Sequence, residues 1–160
     1  FMLTADGPKV VEFNARFGDP EAMNTLPVLE TSFLDVVTAA RDGDSLPQLE
    51  FGGRATVCKY AVPGGYPTDP ASGARITVDE ESAGDALLFY ASVDERDDGL
   101  YTTTSRSFAV VGAAGSIADA EAQAETALAA AGDGLRVRHD VGKPDLVQQR
   151  IERMAELRGE

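Results

Sequence analysis

In the stretch "EFNARFGDPE", Glu12, Asn14 and Arg16 recur at alternate positions, with Asp19 and Glu21 close behind. A carboxylate and an amide oxygen two residues apart on one face of an extended chain can reach the same divalent cation. Magnesium takes hard oxygen ligands and needs only one or two from protein when phosphate oxygens and water complete its octahedron. Arg16, one step further along that face, offers a planar fork to a phosphate or carboxylate. Such a set suits phosphoryl transfer, where catalysis is mostly charge neutralisation and alignment. The spacing alone describes a solvent-facing polar strand at least as well.

The elements that must position these residues can be read from pattern. Phe1 to Thr4 and Lys9 to Phe13 flank "ADGP" and read as two strands joined by a tight turn. Alternation along the second puts Val11, Phe13 and Ala15 on a packing face and Glu12, Asn14 and Arg16 on the other. A helix is expected from Ser32, whose hydroxyl caps with Asp35 three residues on, presenting Phe33, Leu34, Val36, Val37 and Ala40 and ending at Gly43. The Asp-, Gly- and Pro-rich segment from Arg41 sets a boundary near residue 50, giving units 1–50 and 51–160. In the second unit "RATVCKYAV", "ARITVDE", "ALLFYASVDE", "GLYTTTS" and "SFAVVGAAG" read as strands. From Ser116 the period becomes helical, through Asp119 to Ala131 with Gly132 closing, and "LRVRHDVG" is a short strand or turn. A last helix opens at Pro144 and is held by Leu146, Val147, Ile151, Met154 and Leu157. The fold class is α+β, with a mostly antiparallel sheet and packed helices, and no internal repeat.

Composition narrows the partners. At 160 residues with 43% hydrophobic and 26% charged content, the chain can build a core. No apolar run approaches the roughly 18 residues of a membrane span, and no signal-peptide pattern is present. A net charge of −13, with Lys only at 9, 59 and 143, argues against nucleic-acid binding, which needs clustered cations. Scarce Lys among abundant acid also fits a high-salt cytoplasm, where repulsion is screened. Cys58, in an apolar alternating stretch, reads as a buried structural thiol, and a lone Cys fits a cytoplasmic setting. Because the chain begins with Phe1, it reads as a fragment of a longer protein.

Other polar features carry weaker signals. Gly64 and Gly65 in "PGGYP" can turn backbone N–H groups toward an anion or simply form a turn between strands. His139 beside Asp140 has no nucleophile nearby and reads as structural, and Arg106 and Arg138 read as ion-pairing residues. The Ala-rich helix reads as packed on the sheet.

"GPKVVEFNARFGDPE" resembles the end of the ATP-grasp domain in the phosphoribosylamine-glycine ligase family. The likeness continues through "LPVLETSFLDVV", through "PGGYP" and into "RVRHDVG", similar to the family's aromatic-Arg-x-Asp-Ile-Gly ending. It covers nearly the whole chain, and "RFGDPE" separates this family from the biotin-carboxylase-like members of the ATP-grasp group. The resemblance implies that residues 1–50 end an ATP-grasp domain and 51–160 form the C-terminal α+β domain. It implies a ligase that joins glycine to 5-phosphoribosylamine through glycyl phosphate, consuming ATP. Glu12 and Asn14 would hold Mg²⁺ or Mn²⁺, and Arg16 would face the transferring phosphate. Asp19, Glu21, Gly64 and Gly65 would contact substrate, although Asp19 before Pro20 serves equally as a turn former. The remaining N-terminal part of the same enzyme, roughly 250 to 300 residues, would be its partner, and the isolated piece is expected to be inactive. Ala22-Met23-Asn24, Val137 and His139 depart from the family's usual residues. Two alternatives stand beside this reading: another ATP-grasp carboxylate-amine ligase, and a non-catalytic module that kept the fold.

Overall fold

The computed structural model describes residues 1–159. Its elements in chain order are β1 (Met2–Thr4), β2 (Gly7–Lys9), α1 (Glu21–Thr25), α2 (Phe33–Asp42), β3 (Ala55–Pro63), β4 (Arg75–Ile76) and β5 (Leu87–Tyr90). They continue with β6 (Val93–Arg96), β7 (Gly99–Thr102), β8 (Phe108–Ala114), α3 (Ile117–Ala127), β9 (Leu135–Val137) and α4 (Pro144–Arg158). The fold is α+β. A four-stranded sheet runs β5-β8-β3-β9, a three-stranded one β4-β7-β6, and β1-β2 form a hairpin, with every pairing antiparallel.

The centre is the β3–β8 pair, in register from Ala55↔Ala114 to Ala61↔Phe108. Strict alternation along β3 turns Val57, Lys59, Ala61 and Pro63 inward and leaves Thr56, Cys58, Tyr60 and Val62 half-buried on the opposite face. Helix α3 covers the inner face. Ser116 caps it, accepting from the Asp119 N–H at 3.1 Å while its hydroxyl donates to the Asp119 carboxylate at 2.7 Å. Its Ala120, Ala124 and Ala127 are fully buried, the last two in one cluster with Ala61, Phe108 and Val110. Small residues let the helix lie close: a Cβ at Gly112 of β8 would sit 1.9 Å from the Ala120 carbonyl oxygen.

One cation is buried in this layer. The Lys59 side chain is fully enclosed, and its Nζ donates to Glu121 Oε1 at 2.5 Å, Glu125 Oε2 at 2.5 Å and the His139 carbonyl at 3.0 Å. Lys143 Nζ reaches the same Glu121 oxygen at 2.9 Å, and His139 Nδ1 lies 2.5 Å from Glu125 Oε1. His139 is therefore structural, as its isolation in the sequence suggests. Burial by itself would raise Glu121 and Glu125, but hydrogen bonds from Lys143 and Lys59 to the first, and from Lys59 and His139 to the second, leave both below the usual range.

Several sequence expectations need correction. Lys9 to Phe13 is not a strand: the hairpin ends at Lys9, and residues 10–16 have no ladder partner among the described residues. Val11 and Phe13, assigned to a packing face, are 66% and 85% exposed. A strand needs a neighbour on which to place its backbone hydrogen bonds, and a lone hairpin buries too little to extend itself. "ARITVDE" is a strand only at Arg75–Ile76. Val78 then bridges to Ala131, the Thr77 carbonyl accepts from the Gly132 N–H, and the Asp79 carboxylate caps a 3-10 turn at Glu80–Ala83. "ALLFYASVDE" breaks at Ala91-Ser92 into β5 and β6, which belong to different sheets. Helix α3 ends at Ala127, and residues 128–130 tighten into a 3-10 turn. Helices α2 and α4 have no fully buried residue, Leu34 and Ile151 being exposed, although α2 starts after Ser32 and stops at left-handed Gly43 as expected.

Replacing Lys59 with Met leaves Glu121 enclosed with one cation fewer, and should cost about 3–5 kcal/mol in urea denaturation at pH 7. The depressed Glu121 and Glu125 stabilise the fold above their unfolded pKa of about 4.3, and this contribution is lost as pH falls through their lower folded values. Lys59→Met should therefore flatten the decline of stability between about pH 5 and pH 3. An unchanged slope would show that the carboxylates do not depend on Lys59.

Candidate functional site

The face of the central sheet turned away from α3 carries the site. Register puts Tyr60 of β3 opposite Ala109 of β8, and Ala109 opposite Phe89 of β5, while Val62 pairs with Arg136 of β9. These side chains share one face. Over its β5 end lies α1, with Ala22, Met23 and Leu26 beside Leu87 and Phe89 around a shallow apolar cleft. The Thr56 hydroxyl donates to the Asn24 carbonyl at 3.0 Å and fixes α1 to β3.

Asp19 joins the "RFGDPE" turn to this sheet. Its Oδ1 accepts from the Tyr60 hydroxyl at 2.6 Å, its Oδ2 from Arg106 Nη2 at 2.8 Å, and its carbonyl from Arg106 Nη1 at 3.2 Å. The Arg106 guanidinium lies 4.6 Å from the centre of the Tyr60 ring, so each of the three groups holds the other two. Burial pushes the Tyr60 phenol up, and the hydrogen bond to Asp19 and its charge push further. Burial also raises the neighbouring, half-buried Cys58 thiol to about 11. Glu21 opens α1 and folds back over Gly18, where a Cβ would meet its carboxylate oxygen at 2.5 Å.

The metal candidates Glu12 and Asn14 are exposed, and neither oxygen is engaged by another described residue. Arg16 is exposed too, and its Nη1 donates to the next residue's carbonyl, that of Phe17, at 2.9 Å. No cluster of three or more His, Cys, Asp or Glu able to hold a metal occurs among the described residues, so a self-sufficient protein cage is not what this segment offers.

Gly64 and Gly65 form a turn between β3 and β4. Gly65 has φ +80°, and a Cβ there would lie 2.0 Å from the Asp69 carbonyl oxygen. Its own carbonyl accepts from the Asp69 N–H at 2.9 Å, and that of Gly64 from the Ala71 N–H at 2.8 Å. The turn presents Tyr66 and Pro67 to a groove of about 350 Å³ shared with Tyr60, Val62, Arg106, Arg136 and Arg138. Arg138 is paired bidentately with Asp140, which brings that carboxyl down to about 2. The expectation that Arg106 and Arg138 form ion pairs is met. Sequence reasoning did not single out Tyr60, Arg136 or Lys59. A Lys in the inward register of an apolar strand was a readable signal of a buried ion pair, whereas Tyr60 and Arg136 gain meaning only once β9 is placed beside β3.

In an Asp19→Asn variant, the Tyr60 phenol should ionise at lower pH than in the parent, read from its ring-carbon NMR shift. An unmoved titration would mean that the carboxylate does not hold that hydroxyl.

Residues 56–144 match the family described as "Phosphoribosylglycinamide synthetase, C domain". Across 99% of its length the chain is 54% identical to a phosphoribosylamine–glycine ligase of Methanococcoides burtonii and 50% identical to one of Methanocaldococcus jannaschii. It spans only 36% of either relative. The fold superposes with a TM-score of 0.72 and 27% identity on the crystal structure of a phosphoribosylamine–glycine ligase from Thermotoga maritima, covering 87% of this chain and 34% of that one.

Proposed function

This chain belongs to the phosphoribosylglycinamide synthetase C-domain family, and from that premise we propose that it is the C-terminal part of an ATP-dependent ligase joining glycine to 5-phosphoribosylamine. The products are glycinamide ribonucleotide, ADP and phosphate. One observation carries the reading: similarity to ligases of this name extends over 99% of the chain, and so runs through Glu12–Glu21 as well as the matched domain. In this reading residues 1–50 end an ATP-grasp domain, residues 51–160 close over the site, and the remaining N-terminal part supplies the rest of the ATP-binding surface.

Bound Mg²⁺ or Mn²⁺ would offset the charge that accumulates as the γ-phosphate passes to the glycine carboxylate. Glu12 and Asn14 would hold that ion, their side-chain oxygens being hard donors left unengaged by other described residues. Arg16 faces the transferring phosphate, with guanidinium N–H groups left beyond the one given to Phe17. Asp19 acts chiefly by anchoring the signature turn on Tyr60 and Arg106, which keeps the segment bearing Arg16 at a fixed distance from the sheet. Glu21 and the Gly64-Gly65 turn border the substrate amine and phosphoribosyl group. The acyl phosphate is then attacked by the amine of phosphoribosylamine, and a site closed by this domain excludes water from that intermediate.

The protein carrying this chain should release ADP only when ATP, glycine and phosphoribosylamine are all present. Release that ignores glycine would reject the assignment, and release that requires another carboxylate in its place would assign a different carboxylate substrate. Glu12→Gln and Asn14→Ala should each lower turnover by about 10²–10³-fold with an unchanged circular dichroism spectrum, since both side chains are exposed. Near-normal turnover in both variants would remove the metal assignment.

A further inference from the structure

The groove beside the "PGGYP" turn concentrates positive charge in a strongly acidic chain. With a net charge of −13, the protein still brings Arg106, Arg136 and Arg138 together around one cavity of about 350 Å³, with Tyr60 and Tyr66 on its walls. Asp19 and Asp140 hold Arg106 and Arg138 in place through two guanidinium nitrogens each. Arg136 differs. It is exposed, lies across from Val62 in the β3–β9 register, and donates to no other described residue. All five of its N–H groups, and those that Arg106 and Arg138 do not spend on their partners, remain for an anion.

We propose that this groove binds a phosphate monoester, with Arg136 as its principal contact and Arg106 and Arg138 as flanking donors. Two carboxylates already neutralise two of the three guanidiniums, so the anion meets one uncompensated cation on a rigid strand. That favours a ligand with several acceptor oxygens spread in three dimensions, because the donors approach from opposite edges of β3: Arg136 and Arg138 from the β9 side, Arg106 from the β8 side. A tetrahedral phosphate meets that geometry better than a planar carboxylate. The tyrosines leave an apolar and hydroxyl-bearing wall suited to the sugar that carries it, and the cavity exceeds what inorganic phosphate alone would fill. Resting on the function proposed above, the ligand is the 5-phosphate of the phosphoribosylamine substrate. Its amine would then point from the groove toward the signature turn, since Tyr60 and Arg106 border both.

The test compares parent and Arg136→Gln in the intact enzyme. KM for phosphoribosylamine should rise about tenfold or more, as expected for loss of a hydrogen-bonded ion contact. KM for ATP and glycine and the value of kcat should stay within about twofold. Arg136→Lys should recover part of the loss. Ribose 5-phosphate should inhibit the parent competitively with the amine and the variant about tenfold less well, while ribose inhibits neither. An unchanged KM for the amine overturns the proposal, and a selective rise in KM for ATP would assign the groove to nucleotide phosphates instead. If the protein proves to have no glycine-dependent activity, calorimetric titration with ribose 5-phosphate still decides: tighter binding to the parent than to Arg136→Gln supports the groove, and equal affinity rejects it.

Discussion

Lys59 and Tyr60 are neighbours on one strand and point in opposite directions, and the rest of the molecule is arranged around that opposition. Inward, an ammonium stripped of water must find compensation, and it finds two carboxylates from α3 and the His139 carbonyl. Those bonds fix the rotation of α3 about its axis and bring the segment after β9 against the helix. Outward, the same strand presents Tyr60 to Asp19. A slip of one residue in β3 would exchange the faces, placing a charge in solvent and a phenol under the helix. Enclosing an ion pair contributes less to stability than apolar packing would, but its directional bonds resist such a slip.

The Asp19, Tyr60 and Arg106 triad transmits that order to the signature segment. Residues 10–16 have no sheet partner among the described residues, so their position depends on the chain immediately C-terminal to them. There a phenol and a guanidinium grip the turn at Asp19, and α1 lies over β5, tied to β3 by the bond from Thr56 to Asn24. The acidic partners play a second part. By holding Arg106 and Arg138, Asp19 and Asp140 keep repulsive guanidiniums close together, which lets Arg136 join them around one groove.

The apolar residues around the polar signature fit the same account. Val10, Val11, Phe13 and Phe17 are exposed in this chain, beside an apolar hairpin in which Met2 and Leu3 are also half or more exposed. Among the described residues this segment has no ladder partner, and its apolar side chains stay largely in solvent.

By itself, the sequence determined whatever depends on neighbours along the chain. Ser32 as a cap, Gly43 as a terminator, the onset of a helix after Ser116 and the alternation in "ATVCKYAV" were all legible, because hydrogen bonds and dihedral preferences act over three or four residues. The family was legible too, from "EFNARFGDPE", which local physics could not tell from a polar strand. Tertiary structure alone decided what depends on distance in space: that "ALLFYASVDE" splits between two sheets, that Lys59 is enclosed, and that neither α2 nor α4 fully buries a residue. It also decided that Asp19 grips Tyr60 and Arg106, 41 and 87 residues away. Strand register and charge compensation join residues far apart in the chain, and no local pattern encodes which partner an isolated charge will find.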